Sequence, residues 1–253
     1  MKTKDPKFFV IILLIISTLL TFWQINCHAQ KLRIQNLSKY DRQIVHFGFS
    51  LGINKADFTI RINPDIKKLD SLKMNNKFYS IYVIESETQS GFNLGIVSNL
   101  RLGPFFDLRF IPALSFVQRR LEYTLVGKNS ESLVKIKNIE STFLEFPLEL
   151  KYKSVRLNNG RAYVLGGVRF NIDLASQKDI EEEEEEDIIK LNQYDLLYEV
   201  GFGIDCYMKY FKFSPEIKLA FGINNMLVND ETMFSQSIDK LNSRILLVSF
   251  TFE

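Results

Sequence analysis

A chain of 253 residues with a formal net charge of +2, 46% hydrophobic and 25% charged, is long enough for one or two domains. That balance shows no basic stripe of the kind phosphate binding needs, which argues against a nucleic-acid partner. Its 22 phenylalanines, set in alternating segments, favour strands over helices.

The first element is an export signal. Lys2, Lys4 and Lys7 precede an apolar run from Phe8 to Phe22, followed by "WQINCHAQ". This is the basic, apolar and small-residue pattern of a secretory signal peptide, with Cys27 and Ala29 at the minus-three and minus-one places for cleavage before Gln30. The run is shorter than the roughly 20 residues a spanning helix needs. An uncleaved anchor is the alternative; Gln24 and Asn26 disfavour lipid attachment at Cys27. The expected organisation is a signal peptide over 1–29, a periplasmic lead-in over 30–43 and one domain over 44–253. After cleavage Cys206 is the remaining cysteine, so neither an intramolecular disulfide nor a cysteine-rich metal site is expected.

Strands then follow at a period of two. In "VHFGFSLGIN" (45–54), Val45, Phe47, Phe49, Leu51 and Ile53 oppose His46, Gly48, Ser50, Gly52 and Asn54. Residues 55–89 read as a long loop with some structure of its own. Alternation returns with Phe92, Leu94, Ile96 and Leu100, and "LGP" at 102–104 marks a tight turn. The third strand sets Phe106, Leu108, Phe110, Leu114 and Phe116 against Asp107, Arg109, Ser115 and Arg119, ahead of a polar loop near 127–141. The fourth sets Leu144, Phe146, Leu148, Leu150 and Tyr152 against Glu145, Glu149, Lys151 and Lys153, and "NNG" at 158–160 is a hairpin signal. The fifth carries Val164, Val168, Phe170 and Ile172 against Arg169, Asn171 and Asp173, before the acidic stretch "QKDIEEEEEEDIIKLNQ". The sixth carries Tyr198, Val200, Phe202 and Ile204 against Glu199 and Asp205; the seventh Ile217, Leu219 and Phe221 against Glu216 and Lys218. After a loop at about 225–242, the chain ends with Leu246, Val248, Phe250 and Phe252 on one face.

Eight strands whose connections alternate long and short place all long loops at one end of an antiparallel meander. Outer-membrane barrels have this asymmetry, with short periplasmic turns and long extracellular loops. The predicted fold is an all-β, eight-stranded antiparallel transmembrane barrel in the outer membrane, reached through the signal peptide of a Gram-negative cell. The competing reading, a soluble sheet, has shorter strands and no bias of loops to one end.

On the barrel reading, Phe47, Phe49, Leu51, Phe92, Leu108, Phe110, Phe146, Leu148, Phe170, Phe202, Phe221, Phe250 and Phe252 face outer-membrane lipid. Asp107, Arg109, Glu145, Glu149, Lys151, Arg169, Asp173, Glu199, Asp205, Glu216 and Lys218 face a lumen just wide enough to be filled by side chains. Their mixed signs predict a plugged interior of ion pairs, since unpaired charges there are costly. Pro112, Pro147 and Pro215 fall inside predicted strands and call for bulges or strand ends.

Chemistry is sparse. His46 and Ser50 share the lumen face, which raises a lipid-modifying hydrolase or acyltransferase. The two lie two pleats apart, roughly 13 Å by strand rise, too far to touch. The run Glu181–Glu186 reads as a solvated loop tip; cation binding or docking on a basic partner is the alternative, without the spacing of a calcium loop. "GFG" at 201–203 and Gly166–Gly167 lie in strands, so no phosphate cradle is expected, and they instead relieve crowding in a narrow barrel. No catalytic residue, cofactor or metal is expected.

The segments "YDRQIVHFGFSLGINKADFTIR", "TFLEFPLELKYKSVRLNNGRAYVLGGVRFNIDLASQKD" and "LVSFTF" resemble the PorT family, also called SprT. The resemblance covers nearly all of the mature chain and is most specific from Phe143 to Asp179. It implies an outer-membrane barrel required for type IX secretion and, in gliding bacteria, motility, with other secretion components as partners. It carries over no catalytic residue. A filled lumen implies an accessory or assembly role and not a conduit; a lipid-modifying barrel enzyme or a generic structural or binding barrel are the alternatives.

Overall fold

Alternation of side chains at a period of two, sustained over stretches as long as 22 residues, leaves the chain little choice but extended structure. The computed structural model describes residues 35–64, 72–74, 77–127, 132–175, 190–228 and 233–253. The signal segment 1–29 and the Glu181–Glu186 run lie outside the described residues. Eleven strands form one antiparallel sheet: β1 (Val45–Ile62), β2 (Leu72–Met74), β3 (Lys77–Glu87), β4 (Gln89–Arg101), β5 (Phe106–Phe110), β6 (Ala113–Gly127), β7 (Ser132–Lys153), β8 (Gly160–Asp173), β9 (Tyr194–Tyr207), β10 (Lys212–Gly222) and β11 (Ile238–Phe252). A 3-10 turn (Tyr40–Arg42) precedes them and a single-turn helix, α1 (Met233–Gln236), precedes β11.

Eight wall positions make a ring. β1 pairs with β11 on one side (Phe49↔Phe252) and with β4 on the other (Phe49↔Ile96), joining first strand to last. β3 and β4 form one wall strand interrupted at Thr88, and β5 and β6 form the next, interrupted at Ile111–Pro112. Within the paired band, closure removes the free edges that make an open sheet prone to aggregation.

The three prolines sit where their missing donor does least harm. Pro112 occupies the β5–β6 break. Pro147 in β7 faces that break, its carbonyl accepting the Ile111 amide at 3.3 Å. The β9–β10 ladder runs from Phe213↔Cys206 to Glu216↔Gly203 and omits Ser214 and Pro215 on that side. At the short turn after β7, Asn158 takes a positive φ of 54°, which asparagine tolerates better than most side chains.

The stretch 55–89, read from the sequence as a loop, is largely strand. β1 runs on to Ile62 and β3 pairs with β6 from Tyr79↔Gly127 to Glu87↔Arg120. The same holds at 127–141, where β6 and β7 stay paired out to Val126↔Ser132. The reason is visible in β6. Leu114 and Phe116 point outward and Ser115 and Arg119 inward, but further along Gln118, Arg120 and Glu122 take the outward places while Leu121, Tyr123 and Leu125 are fully buried inside. The apolar face changes sides along one continuous strand. A wall passing from lipid into water has to do this, because its outer face must be apolar in one medium and polar in the other.

Outward apolar residues form a band: Phe47 is 71% exposed, Ile96 66% and Ile53 59%, with Phe49, Leu51, Phe92, Phe110, Leu148, Phe170, Phe202 and Phe250 also exposed. Leu108, Phe146, Phe221 and Phe252 are half-buried between outward neighbours. Aromatic pairs rim the band at both ends. Phe49–Phe252 and Phe106–Tyr152 lie toward the short turns; Phe170–Tyr194 and Tyr198–Phe221 lie toward the long connections. Such girdles mark the two interfaces of membrane barrels.

Candidate functional site

The interior is the part of the molecule richest in chemistry. Among the described residues, seven buried Arg and Lys side chains stand against nine buried Asp and Glu. Near-balance of this kind is what a low-dielectric interior requires, since an unmatched ion there costs several kcal/mol. Each of Asp107, Arg109, Glu145, Glu149, Lys151, Arg169, Asp173, Glu199, Asp205, Glu216 and Lys218 is at most 3% exposed. All but Asp173 come together in tiers.

Nearest the short turns, Lys153 pairs with Asp107 at 2.5 Å and Lys151 with Asp205 at 2.8 Å, where Ser214 also donates to Asp205 at 2.8 Å. Above them, the Arg109 guanidinium reaches Glu216 at 2.7 Å, the Tyr163 hydroxyl donates to the same oxygen at 2.7 Å, and Lys218 binds Glu149 at 2.6 Å. Lys151 lies over the Tyr163 ring, 3.5 Å from its centre. The next tier is Arg169, held by Glu199 at 2.5 Å and Glu145 at 3.1 Å, with Asn93 donating to Glu145 at 2.8 Å. Gly203 keeps its place in β9 because Tyr163 fills the space a side chain would need, and Gly167 because its backbone lies against the Leu148 carbonyl. Asp173 stands apart from these ion pairs and accepts the Ala175 amide at 3.0 Å.

Over the ionic tiers lies an apolar layer of Ala56, Val117, Phe143, Leu197, Ala220 and Ile245. Arg119 crosses it, its guanidinium 4.4 Å from the Phe58 ring centre and bonded to Ser141 at 2.8 Å. Beyond it, Leu191, Met226, Leu227 and Phe234 from the long connections pack on Phe58, Tyr123 and Leu125 from the wall. This end of the barrel is therefore capped by a hydrophobic core of its own, stabilised as any soluble core is.

The opposite end is closed by the segment before β1. Asn36 donates to the Tyr207 carbonyl at 3.0 Å and Asp41 accepts from Arg156 at 3.2 Å, Arg161 at 3.1 Å and the Tyr207 hydroxyl at 3.0 Å. Tyr40 donates to Glu253 at 2.5 Å, and Lys212 meets the same carboxylate at 2.5 Å. Glu253, which follows the terminal aromatic, is thus the acceptor that ties the last residue to the plug. About 10 Å³ remains among Tyr40, His46, Asp107, Asp205 and Lys212, the space of a single water at most. The sequence pattern marks 30–43 as a lead-in and does not single out Tyr40, Asp41, Arg156, Arg161, Tyr207 or Lys212; the clustering of Tyr, Asp, Arg and Asn in "NLSKYDR" is the one local signal of the plug.

His46 is 6% exposed, stacks on Tyr40 with centroids 3.9 Å apart, and donates from Nε2 to the Tyr40 carbonyl at 2.8 Å. Its contacts pack the plug. Ser50 is also buried, two pleats further along β1. Cys206 is a free thiol. Among the described residues no group of three or more His, Cys, Asp or Glu is placed to hold a metal.

The plug has a pH dependence. Burial raises the Asp41 carboxyl, but Arg161, the Tyr207 hydroxyl and Arg156 outweigh it and hold its pKa below the ordinary carboxylate value. A lowered folded-state pKa means the stabilisation is present above the unfolded value and is lost as the pH falls through the folded one. Limited proteolysis between Gln35 and Gln43 is therefore expected to accelerate as the pH falls below about 4, and Asp41→Asn to be cut rapidly at pH 7 with the acid-dependent step removed.

A closed eight-stranded antiparallel barrel, apolar outside, ionic within and sealed at both ends, defines a membrane-wall protein of the outer-membrane type. The chain belongs to the family of outer membrane protein beta-barrel domains, whose family model matches residues 29–228. It is an outer-membrane protein. No curated protein matches it. Among solved structures, Neisserial surface protein A is similar at 8% identity and a TM-score of 0.42, covering 83% of this chain and 98% of that one. OprG from Pseudomonas aeruginosa is similar at 12% identity and a TM-score of 0.35, covering 81% and 92% respectively.

Proposed function

We propose that this barrel is a non-catalytic accessory or assembly component of the type IX secretion apparatus, working in the outer membrane against lipid and other secretion components. The observation that carries the non-conduit part is the filled interior. Among the described residues, ion-pair tiers, an apolar layer and two caps leave no path for a polypeptide, and opening one would expose many buried charges at several kcal/mol each. The secretion part is supported by the PorT-like segments around β1, β7–β8 and β11. Activity then resides in surfaces: the strands that rise beyond the lipid band, and the outer wall.

A source strain lacking this chain is expected to retain type IX cargo in the periplasm, read by immunoblotting of the periplasmic and surface fractions. Export is expected to return with the wild-type chain and equally with His46→Ala. Unchanged export in the deletion strain overturns the secretion reading. Failure of a folded His46→Ala barrel to restore export, together with altered lipid A, overturns the non-catalytic reading in favour of a lipid-modifying barrel.

A further inference from the structure

Among the described residues, the ring of hydrogen bonds is complete only within the lipid band. β1 and β4 pair as far as Ala56↔Gln89. One step on, the ladder gives way to side chains: Thr88 donates to Asp57 at 3.1 Å, and the Ser86 hydroxyl accepts the Phe58 amide at 2.9 Å. Beyond that, among the described residues, β1 continues to Ile62 paired only with β11, while β3 runs from Ile81 to Glu87 paired only with β6. Between the two edges lies a cleft of about 530 Å³ lined by Phe58, Ile60, Ile84, Glu85, Glu87 and Glu122. An unpaired backbone edge is a template for another strand.

Charge narrows the occupant. Glu87 is matched by Arg120 at 2.7 Å. Glu85 and Glu122, however, sit directly opposite each other across β3 and β6, a like-charge pair that costs stability, and neither has a cation among the described residues. The floor below them is apolar through Ile60, Phe58 and Ile84. The cleft lies beyond the apolar band, beside Thr59 and Arg61, so it opens to water and its acids repel anionic lipid headgroups.

We propose that the seam between β1 and β3 receives one extended segment of a partner protein on the cell-surface side, added as a strand on the free edge of β1 and alternating apolar with basic residues. Apolar side chains cover the half-exposed Ile60; Lys or Arg on the opposite face neutralises Glu85 and Glu122. This site is independent of the lumen and stands whether or not the secretion reading holds.

The test uses the full mature barrel in lipid nanodiscs and fluorescent ten-residue peptides, read by anisotropy. A peptide of alternating valine and lysine is expected to bind, and the glutamate counterpart is not. The double variant Glu85→Gln/Glu122→Gln, shown to be folded by its gel mobility with and without boiling, is expected to weaken binding at least tenfold. Methylating alternate backbone nitrogens of the lysine peptide is expected to abolish it, since strand pairing needs those donors. Equal binding of the methylated peptide reduces the site to surface charge and overturns the proposal. So does equal binding of the two charge types, no binding at all, or calcium bound through Glu85 and Glu122 with no peptide bound.

Discussion

Arg109→Ala is expected to destabilise the barrel by about 3–5 kcal/mol, the cost of leaving a buried ion without its partner. Arg109 is fully buried and lies between Glu216 at 2.7 Å and Glu149 at 3.8 Å. Removing it strands one carboxylate, because Lys218 already serves Glu149 at 2.6 Å and is 3.6 Å from Glu216. Tyr163, which donates to Glu216, can hold one lone pair but brings no charge. The double variant Arg109→Met/Glu216→Gln keeps the volume and an acceptor for Tyr163 while removing both charges. It is expected to recover most of the loss, since a buried pair replaced by apolar or neutral groups of similar shape is often close to neutral. Urea unfolding in lipid vesicles, followed by far-ultraviolet circular dichroism, measures both. A loss below about 1 kcal/mol for Arg109→Ala, the size seen for solvent-exposed pairs, would mean that water enters the lumen freely.

Legibility followed a simple physical line. Within the lipid band, parity carries two kinds of information at once, because apolar residues point out and charged ones in. Strand count, closure and the inward set from Asp107 to Lys218 are therefore open to reading residue by residue. Which charge meets which is not: Arg109 finds Glu216 across 107 residues of sequence, and only the ladder register brings them together. Beyond the band the same rule inverts. Gln118, Arg120 and Glu122 on an outward face look like loop residues to an eye trained on apolar-out alternation, although Leu121, Tyr123 and Leu125 keep the period intact on the other side. The plug escaped for a different reason. Tyr40 and Asp41 lie in an unpatterned stretch, and their significance rests on Glu253, Arg156 and Tyr207, which no local pattern connects to them.

The inversion in β6 makes the second large effect measurable along a single strand. Arginine at Leu114, outward in the apolar band, is expected to cost about 2–4 kcal/mol, the depth-dependent cost of placing a cation against lipid. At Thr124, outward but ten residues further along a strand that rises roughly 3.4 Å per residue, the same substitution lies beyond the lipid and is expected to change stability by no more than about 0.5 kcal/mol. The inward positions run the other way. Leu121→Ala and Leu125→Ala remove fully buried side chains from the extramembrane core and are expected to cost about 2–5 kcal/mol each. Ser115→Ala, inward in the lumen, loses only the bond from Asn54 at 2.9 Å, and about 1 kcal/mol is expected. Unfolding of the set in vesicles thus yields two crossing profiles, outward cost falling and inward apolar cost rising, with the crossing between Phe116 and Leu121. If arginine costs the same at Leu114 and Thr124, the lipid boundary does not fall within β6 and the change of face has another cause.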